Sequence, residues 1–393
     1  MLILVQILAM SAFRFIDLFA GVGGFHIAMS RLGGECVFAS EIDSNAAATY
    51  KKNFGIDPLC DIRQVDEKTI PAHDVLCAGF PCQAFSKAGK QEGFDDTRGT
   101  LFFEIKRILR YHKPKYIILE NVRNLASHDG GRTWRVISES LKDLGYIITD
   151  KPLIVSPHQV GVPQLRERVF ILGVHASKTA VKQLHFNLPP THRNQTNGNL
   201  ILNGCADSRY AISDYENFVL SAWDEFIKGV GRLNLGFPIW ANEFAKTYDL
   251  HHLPSWKATF IQKNRQLYMQ NRLFIDKWLK KYNNLSDFVP THTKFEWQAG
   301  EHIDSVWQGI IQFRPSGIRV KRPTEFPALV AMVHIPVIGW EKRRLTPREV
   351  ANLQSFPDDY KINGNIQQAY KQFGNAVNVK VVEFLARQLF KQA

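Results

Sequence analysis

The stretch FRFIDLFAGVGGFHIAMSRLGGECVFASEI, residues Phe13 to Ile42, carries the reading that decides the fold. An apolar run from Phe13 to Leu18 turns through Gly21, Gly23 and Gly24. It continues at helical spacing to Leu32 and resumes as a second apolar run, Glu35 to Glu41. A strand, a glycine turn, a helix and a second strand make one βαβ unit, in which glycines let a ligand approach the backbone. The alternation goes on outward. Strands are expected at His73–Ala78, Lys115–Leu119 and Arg168–Val174, with helices over Gly24–Leu32 and Thr100–Tyr111 between them. The chain from Phe13 to about Val174 therefore reads as α/β, a Rossmann-like doubly wound, mostly parallel sheet covered on both faces.

Glu41, closing the second strand about twenty residues after the glycine turn, can hydrogen-bond a ribose diol. A dinucleotide site needs a third glycine three places after Gly23, and His26 stands there. That disfavours a nicotinamide oxidoreductase and favours a cofactor with adenosine but no pyrophosphate, of which S-adenosyl-L-methionine is the obvious candidate. A glycine turn used only for packing stays open as the plainer alternative.

The composition sets the class of partner. Lys and Arg number 49 against 37 Asp and Glu, a formal charge of +12, and 45% of the 393 residues are hydrophobic. The chain can bury a sizeable core, is no disordered tail, and has room for two or three domains or one domain with an insertion. Its basic balance favours a polyanionic partner such as nucleic acid. Five cysteines without a C-x-x-C pair argue against a disulfide framework and for a reducing, cytoplasmic setting. His73, Cys77 and Cys82 fit no common zinc spacing, so no metal is expected. The opening MLILVQILAM carries no Lys or Arg and is too short to span a bilayer, and no membrane segment is expected. The natural start is Met1 or Met10.

After about Gln183 the strand and helix alternation stops at a polar, Pro- and Asn-rich linker. Three segments follow from this: 11–184, 185–340 and 341–393. The middle one holds a basic helical stretch, Lys257 to Lys281, read as a solvated face. It also holds Trp223, Trp240, Trp256, Trp297 and Trp307, read as core. The last segment opens with a helix capped by Thr346 with Pro347 in its first turn.

Two residues at the carboxyl edge of the sheet can carry chemistry. Cys82, in Gly79-Phe80-Pro81-Cys82-Gln83, follows the His73–Ala78 strand, and Glu120, in Glu120-Asn121-Val122, follows the next. A thiol and a carboxyl from different strands beside a cofactor turn suggest acid-assisted nucleophilic catalysis. Either alone is ordinary, since a lone Cys is more often buried and inert.

The segments GFPCQAFSKAGK, ENVRN, QLRERVF, RRLTPREVANLQSFPD and QFGNAVNV, with DLFAGVGGF before them, resemble the motifs of bacterial DNA cytosine-5 methyltransferases in the same order. The resemblance covers roughly 13–175 and 342–390. It implies a class I S-adenosylmethionine-dependent methyltransferase fold with an inserted target-recognition domain at 185–340. Residues 341–393 would return to the first domain. It implies Cys82 as the nucleophile toward C6 of a flipped-out cytosine, Glu120 as the acid at N3, and Arg166 and Arg168 as the paired arginines of the active site. On the cofactor side it implies Phe19, Gly21, Gly23, Glu41, Ile42, Asp61, Ile62 and Asn375, with S-adenosyl-L-homocysteine as product. Gln83 and Ser86 would touch DNA. In the insertion, Arg314, Arg319 and Arg322 belong to a basic, turn-rich segment suited to phosphate and guanine contacts, with an ordinary solvated hairpin as the alternative. Double-stranded DNA is the implied partner of a monomer, and a cognate restriction endonuclease a possible functional one. The closest rival is a tRNA cytosine-5 methyltransferase, against which the long basic insertion speaks. A catalytically dead DNA-binding module would have no reason to keep Cys82, Glu120 and both arginines together.

Overall fold

A computed structural model describes residues 12–81, 101–190, 197–204, 207–231, 236–329 and 335–392. Cys82, Gln83, Ser86 and Cys205 lie outside these residues. The chain divides into two compact units, one of Met1–Asn194, Ala328–Met332 and Val350–Ala393, the other of Gln195–Pro327 and Val333–Glu349.

The first unit is built on a seven-stranded sheet. Its elements are β1 (Phe13–Leu18), α1 (Gly24–Arg31), β2 (Gly34–Ser40), α2 (Ser44–Phe54), β3 (Val75–Gly79), α3 (Leu101–His112), β4 (Tyr116–Val122) and α4 (Arg132–Asp143). There follow β5 (Tyr146–Ile148), β6 (Leu153–Val155), a two-residue β7 (Gln164–Leu165) and β8 (Arg168–His175). The order is β2-β1-β3-β4-β8-β5, with β6 also paired to β8. β1 lies between two parallel neighbours and is buried on both faces, which is why it reads as a nearly unbroken apolar run. The chain leaves β1 toward β2 on one side and returns to β3 on the other, so the loops after β1 and β3 splay apart at their carboxyl ends. That crevice is where open α/β sheets bind ligands.

The sheet is mostly parallel, as expected. β8 is antiparallel to β4, β5 and β6, and is the one reversed strand of this sheet. β6 runs parallel to β4 and ends at the sheet's carboxyl edge, and residues 156–167 carry no α-helix back across the sheet, so the chain enters β8 at that edge.

The second unit packs α5 (Asp214–Val230), α6 (Ser255–Gln270) and α7 (Arg272–Lys281) against a six-stranded sheet. Its strands are β9 (Ile239–Trp240), β10 (Lys294–Gln298), β11 (Ile310–Arg314), β12 (Gly317–Lys321), β14 (Val337–Ile338) and β15 (Arg343–Arg344); β13 (Phe326–Pro327) lies outside this sheet. The single basic helix expected over Lys257–Lys281 is two, broken at Asn271, whose φ of −122° leaves the helical range. Trp223 is core, as expected, and its indole N–H donates to the His292 carbonyl. Trp256 is not: it is 59% exposed at the start of α6.

The chain closes with α8 (Pro347–Leu353), α9 (Ile366–Asn375) and α10 (Val379–Gln392). The last two pack onto the first unit, where α10 meets α1. Among the described residues no helix is long and apolar enough to cross a membrane.

Candidate active site

A cavity of about 660 Å³ opens at the carboxyl edge of the first unit's sheet, between the ends of β1, β3 and β4. Its wall begins with the turn after β1. Phe19 sits in the left-handed region (φ 57°), and Gly21 follows there at 55° with nothing within 4 Å of where a Cβ would stand. The backbone is thus bare at Gly21, as a closely approaching ligand requires. Glu41 braces the turn: one carboxylate oxygen accepts from the Gly21 N–H at 2.7 Å and the other from the Asp43 N–H at 2.8 Å. Tyr360 secures the same turn from the far end of the chain, its hydroxyl donating to the Val22 carbonyl at 2.7 Å.

Gly23 has a packing reason as well. Its neighbours Gly21, Val22 and Gly24 line the cavity, and a Cβ at Gly23 would stand 2.2 Å from the Phe54 ring, which only a glycine leaves room for. His26, in place of a third glycine, stacks on Phe54 at 3.9 Å and bonds the Tyr50 hydroxyl at 2.6 Å.

The other expected cofactor residues meet here. Ile42 is exposed on the rim, Ile62 is buried in the wall, and Asn375 borders the cavity as the last residue of α9. Asp61 also lines it, with its carboxylate already held by the Arg63 guanidinium at 2.6 Å and by the Arg63 backbone N–H. Two acids, Glu41 and Asp61, and a bare glycine backbone suit a neutral nucleoside carrying hydroxyl and amino donors. No group of three His, Cys, Asp or Glu side chains among the described residues is placed to hold a metal ion.

Glu120, Arg166 and Arg168 form the opposite wall. The antiparallel register pairs Val122 with Arg168, which brings Arg168 Nε to 3.1 Å from Glu120 Oε1. Burial pushes the Glu120 carboxyl above its usual range, against the opposing charges of Arg168 and Arg166. Arg166 is itself buried, and burial together with the Arg168 charge brings its guanidinium down to about 9. It donates to the carbonyls of Leu329 and Ala376, both at 3.1 Å, and so ties together three distant stretches of the first unit. Asn121, for which the sequence reading had no role, donates to the Phe80 carbonyl at 2.8 Å. That bond fixes the chain two residues before Cys82 beside Glu120. Its signal lay in the quoted ENVRN; Tyr360 had no local signal at all.

Beneath the glycine turn Asp17 is fully buried, with both carboxylate oxygens lacking a hydrogen-bond partner. Burial pushes its carboxyl well above the usual range; the His26 amide, outside hydrogen-bond geometry, opposes the shift, and the Glu41 charge adds to it. An acid raised on folding holds its proton more tightly in the native state. Stability therefore falls as pH climbs from the unfolded value of about 4 toward the native one. Asp17→Asn removes this loss, so its Tm relative to the parent should rise between about pH 4 and pH 7 in thermal unfolding. A difference that stays constant over that range would mean Asp17 is already ionised.

Comparison with known proteins matches residues 13–391 to the family model of C-5 cytosine-specific DNA methylases. The Type II methyltransferase M.HhaI of Haemophilus parahaemolyticus is 35% identical over 96% of this chain and 94% of its own. M.HpaII of Haemophilus parainfluenzae is 36% identical, over 97% and 90%. Among solved structures, a putative DNA modification methyltransferase encoded within an E. coli prophage superposes with a TM-score of 0.56 at 20% identity, covering 96% of this chain and 99% of that one. Spodoptera frugiperda DNMT2 does so with a TM-score of 0.55 at 21% identity, covering 96% and 99%. These last two bear on the fold alone.

Proposed function

The chain belongs to the C-5 cytosine-specific DNA methylase family and is a DNA (cytosine-5)-methyltransferase, and from that premise we propose that Cys82 and Glu120 act together on a cytosine flipped out of a specific duplex sequence. The Cys82 thiolate adds to C6 while the Glu120 carboxyl gives a proton to N3, which turns the ring into an enamine nucleophilic at C5. S-adenosyl-L-methionine, when bound, supplies an electrophilic methyl group on a sulfonium. C5 takes that methyl and S-adenosyl-L-homocysteine departs, the C5 proton leaves to a base or water, and the C6–S bond breaks as N3 returns its proton to the Glu120 carboxylate, which restores the aromatic ring, the thiolate and the acid. A stacked cytosine shields C6, so the target nucleotide must leave the helix, at a cost of a few kcal/mol.

The observation that carries this reading is the Arg168–Glu120 pair at 3.1 Å, with a carboxyl held above its usual range beside the chain that leads to Cys82. Arg168 orients the carboxyl, and Arg166 holds the wall by its backbone contacts. Phe19, Gly21, Glu41, Ile42, Asp61, Ile62 and Asn375 would hold the cofactor, Glu41 by the ribose and Asp61 by the adenine amine. The protein is read as a partner of double-stranded DNA within a restriction–modification pair, which the Type II names of its relatives favour. The tRNA reading is the weaker one, because the family model is that of DNA methylases. Incubation with duplex DNA or tRNA and labelled cofactor tests the substrate, and bisulfite sequencing tests the carbon and its context. Label on tRNA alone would overturn the proposal.

Glu41→Gln removes a charged acceptor from the cofactor side and weakens the brace on Gly21. The affinity for S-adenosyl-L-homocysteine is expected to fall by about 10- to 100-fold, the equivalent of ~1.5–3 kcal/mol for a charge-assisted hydrogen bond. Calorimetric titration reads this directly, and an unchanged affinity would remove Glu41 from the ribose.

A further inference from the structure

The six-stranded sheet of the second unit has two unlike faces. Phe295, Ile311, Ile318 and Val320 enter the helical core, and strand alternation puts Glu296, Gln298, Gln312, Arg314, Arg319 and Lys321 on the other side. The register sets Arg319 between Glu296 on β10 and Gln312 on β11. Glu296 Oε2 accepts from Arg319 Nε at 2.9 Å and Nη2 at 2.8 Å, and from Arg314 Nη2 at 2.6 Å. Its Oε1 accepts from the Gln298 amide. One carboxylate therefore holds two guanidinium groups side by side on strands joined by a two-residue turn, a hairpin as the alternative reading of this segment had it.

Two atoms of this patch are unsatisfied. Gln312 Oε1 and Arg314 Nε are shut off from solvent and have no hydrogen-bond partner, and Gln312 as a whole is 8% exposed. An ordinary surface ion pair would leave neither. Unpaired buried polar atoms call for an explanation, and a ligand that supplies their partners is one.

Resting on the reading of the chain as a DNA methyltransferase, we infer that Gln312, Arg314 and Arg319 form one base-reading site for a G·C pair, with Glu296 as its positioning residue. Guanine offers N7 and O6 as acceptors in the major groove and its partner cytosine offers the N4 amine as a donor. The guanidinium hydrogens that Glu296 leaves unused match the first two, and the Gln312 oxygen matches the third once its side chain turns outward. A phosphate site would gain nothing from Glu296, whose charge repels phosphate and offsets one of the two arginines. A base-edge site gains fixed geometry, because the planar fork reads bidentately only when it is held in orientation. Arg322, one residue beyond β12, has no part in this cluster.

The test reads binding. The preferred duplex is selected from a random-sequence pool with the parent protein, and affinities are measured for a panel of its single-base variants. Glu296→Gln and Arg319→Lys are expected to lose discrimination at the same G·C pair by at least about fivefold, with affinity for a site-free duplex undiminished. Arg319→Lys keeps the charge and most of the volume, so it preserves the fold while removing the fork; a thermal melt verifies both variants. Unchanged discrimination, or an even loss across the whole panel, would overturn the inference and leave the cluster structural or phosphate-binding. Methyl transfer plays no part in the readout, so a parent that binds selectively yet transfers no methyl group would count against the proposed reaction alone.

Discussion

Cys82→Ala is expected to lower methyl transfer by about 10⁴-fold or more while leaving affinity for DNA and cofactor nearly unchanged. Removal of a covalent nucleophile typically costs several orders of magnitude in kcat, because no other group can form the adduct. A thiol contributes little to binding, so the loss should fall on kcat. Duplex DNA with 5-fluorocytosine at the target should trap a complex that survives denaturation with the parent, since fluorine cannot leave C5 as a proton does. The variant should trap none. A denaturation-resistant complex formed by Cys82→Ala would take this residue out of the role.

Glu120→Gln is expected to cost about 10²- to 10⁴-fold, the range of a well-placed general acid. The amide keeps the shape and can donate a hydrogen bond to N3, but it has no proton to give. Burial raises the Glu120 pKa, so in the parent the acid form persists above the usual carboxylate range and kcat declines as pH rises through the shifted value. The variant should lack this decline. Arg168→Ala supplies a check of sign: the Arg168 charge lowers the Glu120 pKa, so its removal should move the decline to higher pH. A Glu120→Gln profile with the parent's alkaline limb would assign that limb to another group.

Much of the site was legible in the chain because its parts are local. Phe13–Leu18 is a strand as read, since a central parallel strand must be apolar on both faces, and that pattern is written in consecutive residues. The glycine turn and the acid twenty residues later share one βαβ unit, so spacing alone brings Glu41 back to Gly21. The reason for a glycine such as Gly23 is invisible in sequence: bare backbone toward a ligand and room for the Phe54 ring look alike.

The sequence by itself determined the strands β1, β2, β3, β4 and β8 with the helices α1 and α3 among them, the turn that bares the backbone, and which thiol and carboxyl follow neighbouring strands. Each of these depends on periodicity or on short spacing. Only the tertiary structure decided the rest. The reversal of β8 puts Arg168 beside Glu120; in a parallel strand it would start at the opposite edge, roughly 20 Å away at about 3.3 Å per residue. Arg166 meets the carbonyl of Ala376 from 210 positions away, and Tyr360 meets that of Val22 from 338. Glu296 clamps Arg314 and Arg319 through the register of three strands. Contacts at such separations are set by how whole elements pack and pair, and buried polar groups then take whichever partner that packing brings within reach.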